Sequence, residues 1–334
     1  LEARGVNVSY SSPIPITFSD TSLDAAIRSA ISKDTGDIFD TDLVPLTTLI
    51  ANNSSISDLT GLEYCTNLTY LNLESNSVSD VTAISGLTNL TYLRLTSNTV
   101  SDISLLSSLT NLTELYLGQN SISEITALSA ITNLTDLGLS SNNISDINPI
   151  NGMTNLDYLY LHENSISDIS PLGSVTSLTH LILSANSIVD ISPLSGMTGL
   201  AELRLYDNSI SDISALVTNT GVDSGDTVLL QGNPLGSQAY TDIATLESRG
   251  VYVEYDLPGY LQVTLSPVTA VTAGAQWNVD SGAWQSSGTS VPVSAGSHTV
   301  GFKAVSGWTT PVSRTVTIAQ GVTTQISVAY TVPT

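Results

Sequence analysis

Residues 68–89 read LTYLNLESNSVSDVTAISGLTN, with apolar side chains at Leu68, Leu71, Leu73, Val78, Val81, Ile84 and Leu87. Leu71 and Leu73 are two apart, so they share one face of a short strand. Val78, Val81, Ile84 and Leu87 recur every third residue, which suits a tight, 3₁₀-like return segment. One such unit cannot bury its apolar face alone. The pattern returns every 22 residues, marked by Asn76/Asp80, Asn98/Asp102, Asn120/Glu124, Asn142/Asp146, Asn164/Asp168, Asn186/Asp190 and Asn208/Asp212. A degenerate copy precedes them, with Ser54 in the asparagine place and Asp58 in the other. The seven regular copies hold 49 apolar slots and only Asn219 breaks the pattern, so identical coils can stack into one continuous core.

The fold expected is a leucine-rich solenoid of the α/β type, with a parallel sheet on its concave side and irregular, 3₁₀ returns on the other. Each asparagine at a strand exit turns inward, where its amide bonds the backbone of neighbouring coils. Each aspartate but Asp190, which follows Val189, comes after a serine, and each precedes a turn, which makes it an acceptor for backbone N–H groups. A row of bound cations is the competing reading of that column. Residues 17–32, TFSDTSLDAAIRSAIS, predict an N-terminal cap helix from about Thr21, with Thr21 and Asp24 as a capping box and Leu23, Ile27, Ala30 and Ile31 on one face. At the far end a shifted coil, 227–236, leads to a helix stopped by Gly250 and to a strand, VYVEY. The opening LEARGVNVSY matches LESRGVYVEY, 246–255, at seven of ten positions. Residues 1–13 are therefore expected to be the tail of an earlier array. The expected layout is then a helical cap over 14–45, repeats over 46–235, a closing helix and strand over 236–256, and a separate module over 257–334.

The 22-residue pattern, the run SDISPL at Ser167–Leu172 and the helical cap together resemble the internalin-type leucine-rich repeats of bacterial surface proteins. The resemblance covers about residues 14–256. It implies a curved solenoid that binds a partner on its concave sheet. Internalins set an immunoglobulin-like domain directly against the array, whereas here a helix and a strand intervene, so no individual receptor carries over. Beyond residue 257 the segments YLQVTLS, AQWNVD, HTVGFKAV, RTVTIA and TTQISVAYT alternate as short strands, which predicts a small β-sandwich. The segments 274–288 and 296–311 resemble the PEGA-like modules of bacterial envelope proteins, which implies a spacer or attachment. Trp277, Trp284 and Trp308 all lie in this module and are expected in its core.

Eight Lys and Arg stand against 30 Asp and Glu, a net charge of −22 that disfavours nucleic acid and anionic membrane as partners. No apolar run reaches membrane-spanning length, so direct membrane insertion is not expected. Cys65 is the sole cysteine and sits among apolar neighbours, a buried structural thiol.

The residues flanking the strand leucines point outward and form three rows. The first is Tyr70, Tyr92, Glu114, Asp136, Tyr158, His180 and Glu202. The second is Asn72, Arg94, Tyr116, Gly138, Tyr160, Ile182 and Arg204. The third is Glu74, Thr96, Gly118, Ser140, His162, Ser184 and Tyr206. These 21 positions hold ten of the chain's 22 Tyr, His and Arg residues, although the repeats are almost interchangeable elsewhere. Tyr and Arg dominate binding hot spots. The partner-binding residues expected are therefore Tyr70, Tyr92, Arg94, Tyr116, Tyr158, Tyr160, His162, His180, Arg204 and Tyr206. His162 and Glu163 do not read as a metal pair. His180 falls four residues along the strand and one strand over, roughly 14 Å away, and zinc needs more ligands than these. No phosphate loop or nucleophile elbow occurs, and Glu114 with Asp136 has no evident pocket for glycosidase chemistry. No cofactor, metal or catalytic residue is expected. The pattern predicts a secreted or surface-displayed bacterial recognition or adhesion protein with a protein ligand. Polysaccharide binding and a self-associating envelope component, such as a surface-layer or filament subunit, are the alternatives.

Overall fold

The computed structural model describes residues 12–333, and the expected array tail lies outside them save for its last two residues. Two compact units divide the chain, one up to Asn186 and one from Ser187 onward.

In the first unit, β1 (Pro15–Ile16) pairs antiparallel with β2 (Ile38–Phe39), and α1 (Thr21–Ala30) and α2 (Asp40–Leu43) complete the cap. Asp20, not Thr21, caps α1: its Oδ1 accepts from the amides of Ser22 (2.9 Å) and Leu23 (3.1 Å). Its Oδ2 accepts from the Ser57 amide (2.8 Å), so one carboxylate ties the cap to the first coil. Burial pushes the Asp20 carboxyl up, but the amides of Ser57, Leu23, Asp58 and Ser22 together hold it below its ordinary range. Leu23 and Ile27 are buried, whereas Ala30 is exposed because the helix ends there before its inner face can cover another turn.

Seven strands follow: β3 (Thr48–Ile50), β4 (Tyr70–Asn72), β5 (Tyr92–Arg94), β6 (Glu114–Tyr116), β7 (Asp136–Gly138), β8 (Tyr158–Tyr160) and β9 (His180–Ile182). They pair in chain order, all parallel, as in Leu49↔Leu71, Leu71↔Leu93 and Leu137↔Leu159. Because every coil has the same length, equivalent positions fall in register and each leucine column is buried. The returns contain 3₁₀ turns such as Thr82–Ile84 and Ser104–Ser108. Asn98 shows how the strand exits are held. Its Oδ1 accepts from the Val78 amide (2.9 Å), and its Nδ2 donates to the carbonyls of Leu73 (2.9 Å) and Leu95 (3.0 Å). Asn76, Asn120, Asn142, Asn164 and Asn186 repeat this bridge. A second ladder, not expected, runs outside: the amides of Asn67, Asn89, Asn111 and Asn133 donate to carbonyls 23 residues earlier.

The aspartates accept from the residue two further on, at 2.8 Å in Asp80–Thr82, Asp102–Ser104 and Asp168–Ser170. For Asp80 the Thr82 hydroxyl and then its amide hold the carboxyl below its ordinary range. For Asp102 and Asp168 the amide leads and the serine hydroxyl follows. A carboxyl depressed in the folded state adds stability that is present above its unfolded pKa and lost as pH falls through the folded value. The thermal midpoint should therefore drop as pH is lowered below about 4. Substituting Asp80, Asp102 and Asp168 together with Asn keeps an acceptor but removes the charge. That variant should show a flatter pH dependence by calorimetry, and an unchanged slope would refute the assignment.

In the second unit, β10 (Glu202–Arg204), α3 (Ser214–Thr218), β11 (Thr227–Leu229), α4 (Ser237–Ser248) and β12 (Tyr252–Glu254) close the repeats. Leu203, Val228 and Val253 align in three parallel strands at steps of 25 rather than 22 residues. A small all-β domain follows, with β13 (Gly259–Ser266), α5 (Val268–Thr272), β14 (Trp277–Val279), β15 (Ser290–Val293), β16 (Gly296–Phe302), β17 (Arg314–Ile318) and β18 (Thr323–Ala329). Its two three-stranded sheets run β15-β13-β18 and β14-β16-β17. Trp277 is fully buried and donates its Nε1–H to Ser286 O (3.0 Å), and Trp308 packs on the same core. Trp284 departs from expectation. It lies in the loop after β14, 44% exposed, beyond the reach of the strand alternation that turns Trp277 inward.

Candidate binding face

The outward positions of β4 to β9 form a face of half-buried side chains that pack on one another. Register sets the partners. Tyr70 and Tyr92 are aligned neighbours, and their rings stack with centroids 4.0 Å apart and planes 9° apart. Tyr116 tilts against Tyr92 at 5.7 Å. Arg94 donates to Glu74 Oε1 (2.9 Å) and lies 5.4 Å from the centre of the Tyr116 ring. Two strands further on, Tyr158 stacks on His180 with centroids 4.4 Å apart. The structure thus joins Tyr70, Tyr92, Arg94 and Tyr116 in one patch and Tyr158 with His180 in another, with Tyr160 on the same strand as Tyr158 and His162 just past its end. Arg204 and Tyr206 belong to the second unit, where Arg204 binds Glu202 of its own strand (2.5 Å).

Glu163 leaves the face. Its φ of +55° is the left-handed turn taken at the same place in each coil, as at Ser75, Ser97, Gln119, Ser141 and Ala185. Its Oε2 accepts from the Ser141 hydroxyl (2.7 Å) instead. Among the described residues no three His, Cys, Asp or Glu side chains gather as a metal site. Burial, and then the Glu63 charge, push the Cys65 thiol up to about 12, so it stays protonated and unreactive.

Between the patches lies a hollow of about 230 Å³, bounded by Arg94, Tyr116, Ser140, Tyr160 and His162. Its floor is Gly118 and Gly138. A Cβ at Gly138 would meet the Tyr116 ring at 2.9 Å, and one at Gly118 would meet Ser140 Oγ at 2.8 Å. These glycines were absent from the expected site, although two adjacent coils without side chains in outward rows were already the available signal. Hollows of about 470 Å³ occur on the return side at Asp58 and Asp80 and beside α4. Neither is lined by a ring or a cation, so the sheet face remains the stronger candidate. Burial, reinforced by the charges of Asp136 and Glu114, pushes the Tyr116 phenol well above its ordinary value, and the two charges mark negative potential on this part of the face.

The profile of leucine-rich repeats (two copies) matches residues 88–130, 132–174 and 176–218. The solved structure of internalin C2 from Listeria monocytogenes is 35% identical, covers 64% of this chain and 96% of its own, and superposes with a TM-score of 0.61. An internalin (inlF) from the same species is 32% identical, covers 75% of this chain and 81% of its own, and gives 0.62. A leucine-rich-repeat protein of Leptospira interrogans is 23% identical, covers 65% of this chain and 57% of its own, and shares the fold with a TM-score of 0.57. No curated protein matches the chain. Among the described residues no helix is long and apolar enough to cross a membrane.

Proposed function

The chain belongs to the internalin family of leucine-rich-repeat proteins, and from that membership we propose a non-enzymatic binding protein, secreted or displayed on a bacterial surface, that recognises a protein partner through the outward face of its repeat strands. One observation carries the reading. Repeats that are otherwise interchangeable concentrate their Tyr, His and Arg side chains at the outward positions, and those side chains assemble into stacked patches. Rings held against each other lose little entropy on binding, so a partner meets a pre-organised surface. The 18 outward positions of the first unit come close to the 20–30 residues per side of a stable interface. The domain from Gly259 onward acts in this proposal as a spacer or attachment.

The test begins with a screen of purified extracellular proteins against the immobilised chain. Replacing Tyr158 and Tyr160 together with Ala should weaken the selected complex by at least ~2 kcal/mol, the loss expected of paired hot-spot residues. A partner that binds the double variant undiminished overturns the placement. The aromatic patches would also suit a sugar, and a glycan array that binds the chain where the protein screen yields nothing would replace the protein partner with a polysaccharide.

A further inference from the structure

Along the first outward row the chain presents Tyr70, Tyr92, Glu114, Asp136, Tyr158 and His180. Two carboxylates thus stand between two ring stacks. Glu114 and Asp136 are aligned neighbours on β6 and β7, about 4.8 Å apart at the backbone. Like charges directly opposite one another weaken a sheet. The other two outward-row carboxylates each have an arginine, Glu74 with Arg94 and Glu202 with Arg204. Glu114 and Asp136 have only neutral donors: the Tyr116 hydroxyl reaches Glu114 Oε2 (3.2 Å) and the Thr135 hydroxyl reaches Asp136 Oδ2 (2.7 Å). Among the described residues this face therefore holds one carboxylate pair with no cation against it, flanked in the same row by Tyr92 and Tyr158.

We propose that the Glu114–Asp136 pair is the seat of an arginine side chain presented by a basic protein partner. A guanidinium carries five N–H donors in one plane, so it can serve two carboxylates on neighbouring strands while its flat faces lie against flanking rings. The face already contains a simpler form of that arrangement, in Arg94 held by the single carboxylate of Glu74 over Tyr116. A chain of net charge −22 also draws basic proteins toward itself over long range. The proposal deepens the binding role argued above and rests on it.

The experiment needs no partner. The nitrogen-15-labelled chain is titrated with N-acetyl-arginine amide, with its uncharged isostere N-acetyl-citrulline amide, and with calcium. Arginine amide should produce saturable shifts centred on the amides of Glu114, Asp136 and Tyr158, and citrulline amide should not. In the double variant Glu114→Gln/Asp136→Asn the apparent affinity should fall by about tenfold or more, the loss expected when charge-assisted hydrogen bonds become neutral ones. The remaining spectrum reports that the variant is folded. Equal shifts with citrulline amide, no saturable shift, or an unweakened variant each overturn the proposal, and calcium capturing the same amides more tightly than arginine overturns it in favour of an ion site. Loss of binding in the Tyr158/Tyr160 variant alongside a failed arginine titration would remove only the arginine seat and leave the binding face standing.

Discussion

Asn142→Ala is expected to destabilise the first unit by about 3 kcal/mol, because the amide it removes is buried and fully used. Asn142 Oδ1 accepts from the Ile122 amide (2.9 Å), and its Nδ2 donates to the carbonyls of Leu117 (3.0 Å) and Leu139 (3.1 Å). The two carbonyls keep second donors, Asn120 and Asn164, so their loss is partial. The Ile122 N–H keeps none and becomes a buried orphan beside a small cavity. Each net hydrogen bond contributes about 1 kcal/mol, and an unsatisfied buried donor costs about 1–3. Urea unfolding gives the total, and hydrogen exchange at the Ile122 amide locates it. Asn111→Ala is the comparison. Its amide makes one exposed bond, to Thr88 O (2.8 Å), and its loss should cost no more than about 1 kcal/mol. Equal effects from the two variants would show that burial of the inner ladder is not what holds the strand exits.

The inner ladder could be read from the chain because one length governs every coil. A fixed 22-residue step puts equivalent residues in register, so strand, return and asparagine follow from the position of Leu71 and Leu73 alone. The outward rows followed for the same reason. Which outward residues touch was not legible, since the tilt of Tyr116 over Gly138 depends on a missing side chain one strand away. The cap of α1 was misplaced by one residue because Asp20, Thr21 and Ser22 can all cap, and only the contact with Ser57 selects Asp20. In the last domain Pro292 hid β15, a strand that tolerates proline because it lies at the edge of its sheet. The β-branched run VTAVT concealed α5.

The single break in the apolar pattern leads to the second large effect. By the repeat alone, Asn219→Ile restores the missing apolar slot and should stabilise. The structure requires the opposite. Asn219 is fully buried, and its Nδ2 donates to the carbonyls of Leu194 (2.9 Å) and Met197 (3.0 Å) in the preceding coil. Its Oδ1 accepts from the Gly221 amide (3.0 Å). That bond holds a turn in which Gly221 runs against the backbone of Thr198, so close that a Cβ would lie 2.0 Å from the Thr198 carbonyl oxygen. Arg249 then donates to Val217 O (2.7 Å), fastening the end of α4 to the last turn of α3, just before Asn219. Isoleucine supplies none of these bonds, leaves the half-buried Gly221 N–H without its acceptor and the Leu194 and Met197 carbonyls with one backbone donor each, and places a branched side chain where a planar amide fits. The expected loss is about 3 kcal/mol or more, with the first protection lost at the Gly221 amide. A more stable Asn219→Ile variant would mean that the coils from β10 onward obey the same rule as the regular ones, and that their lengthened step is not pinned by this amide.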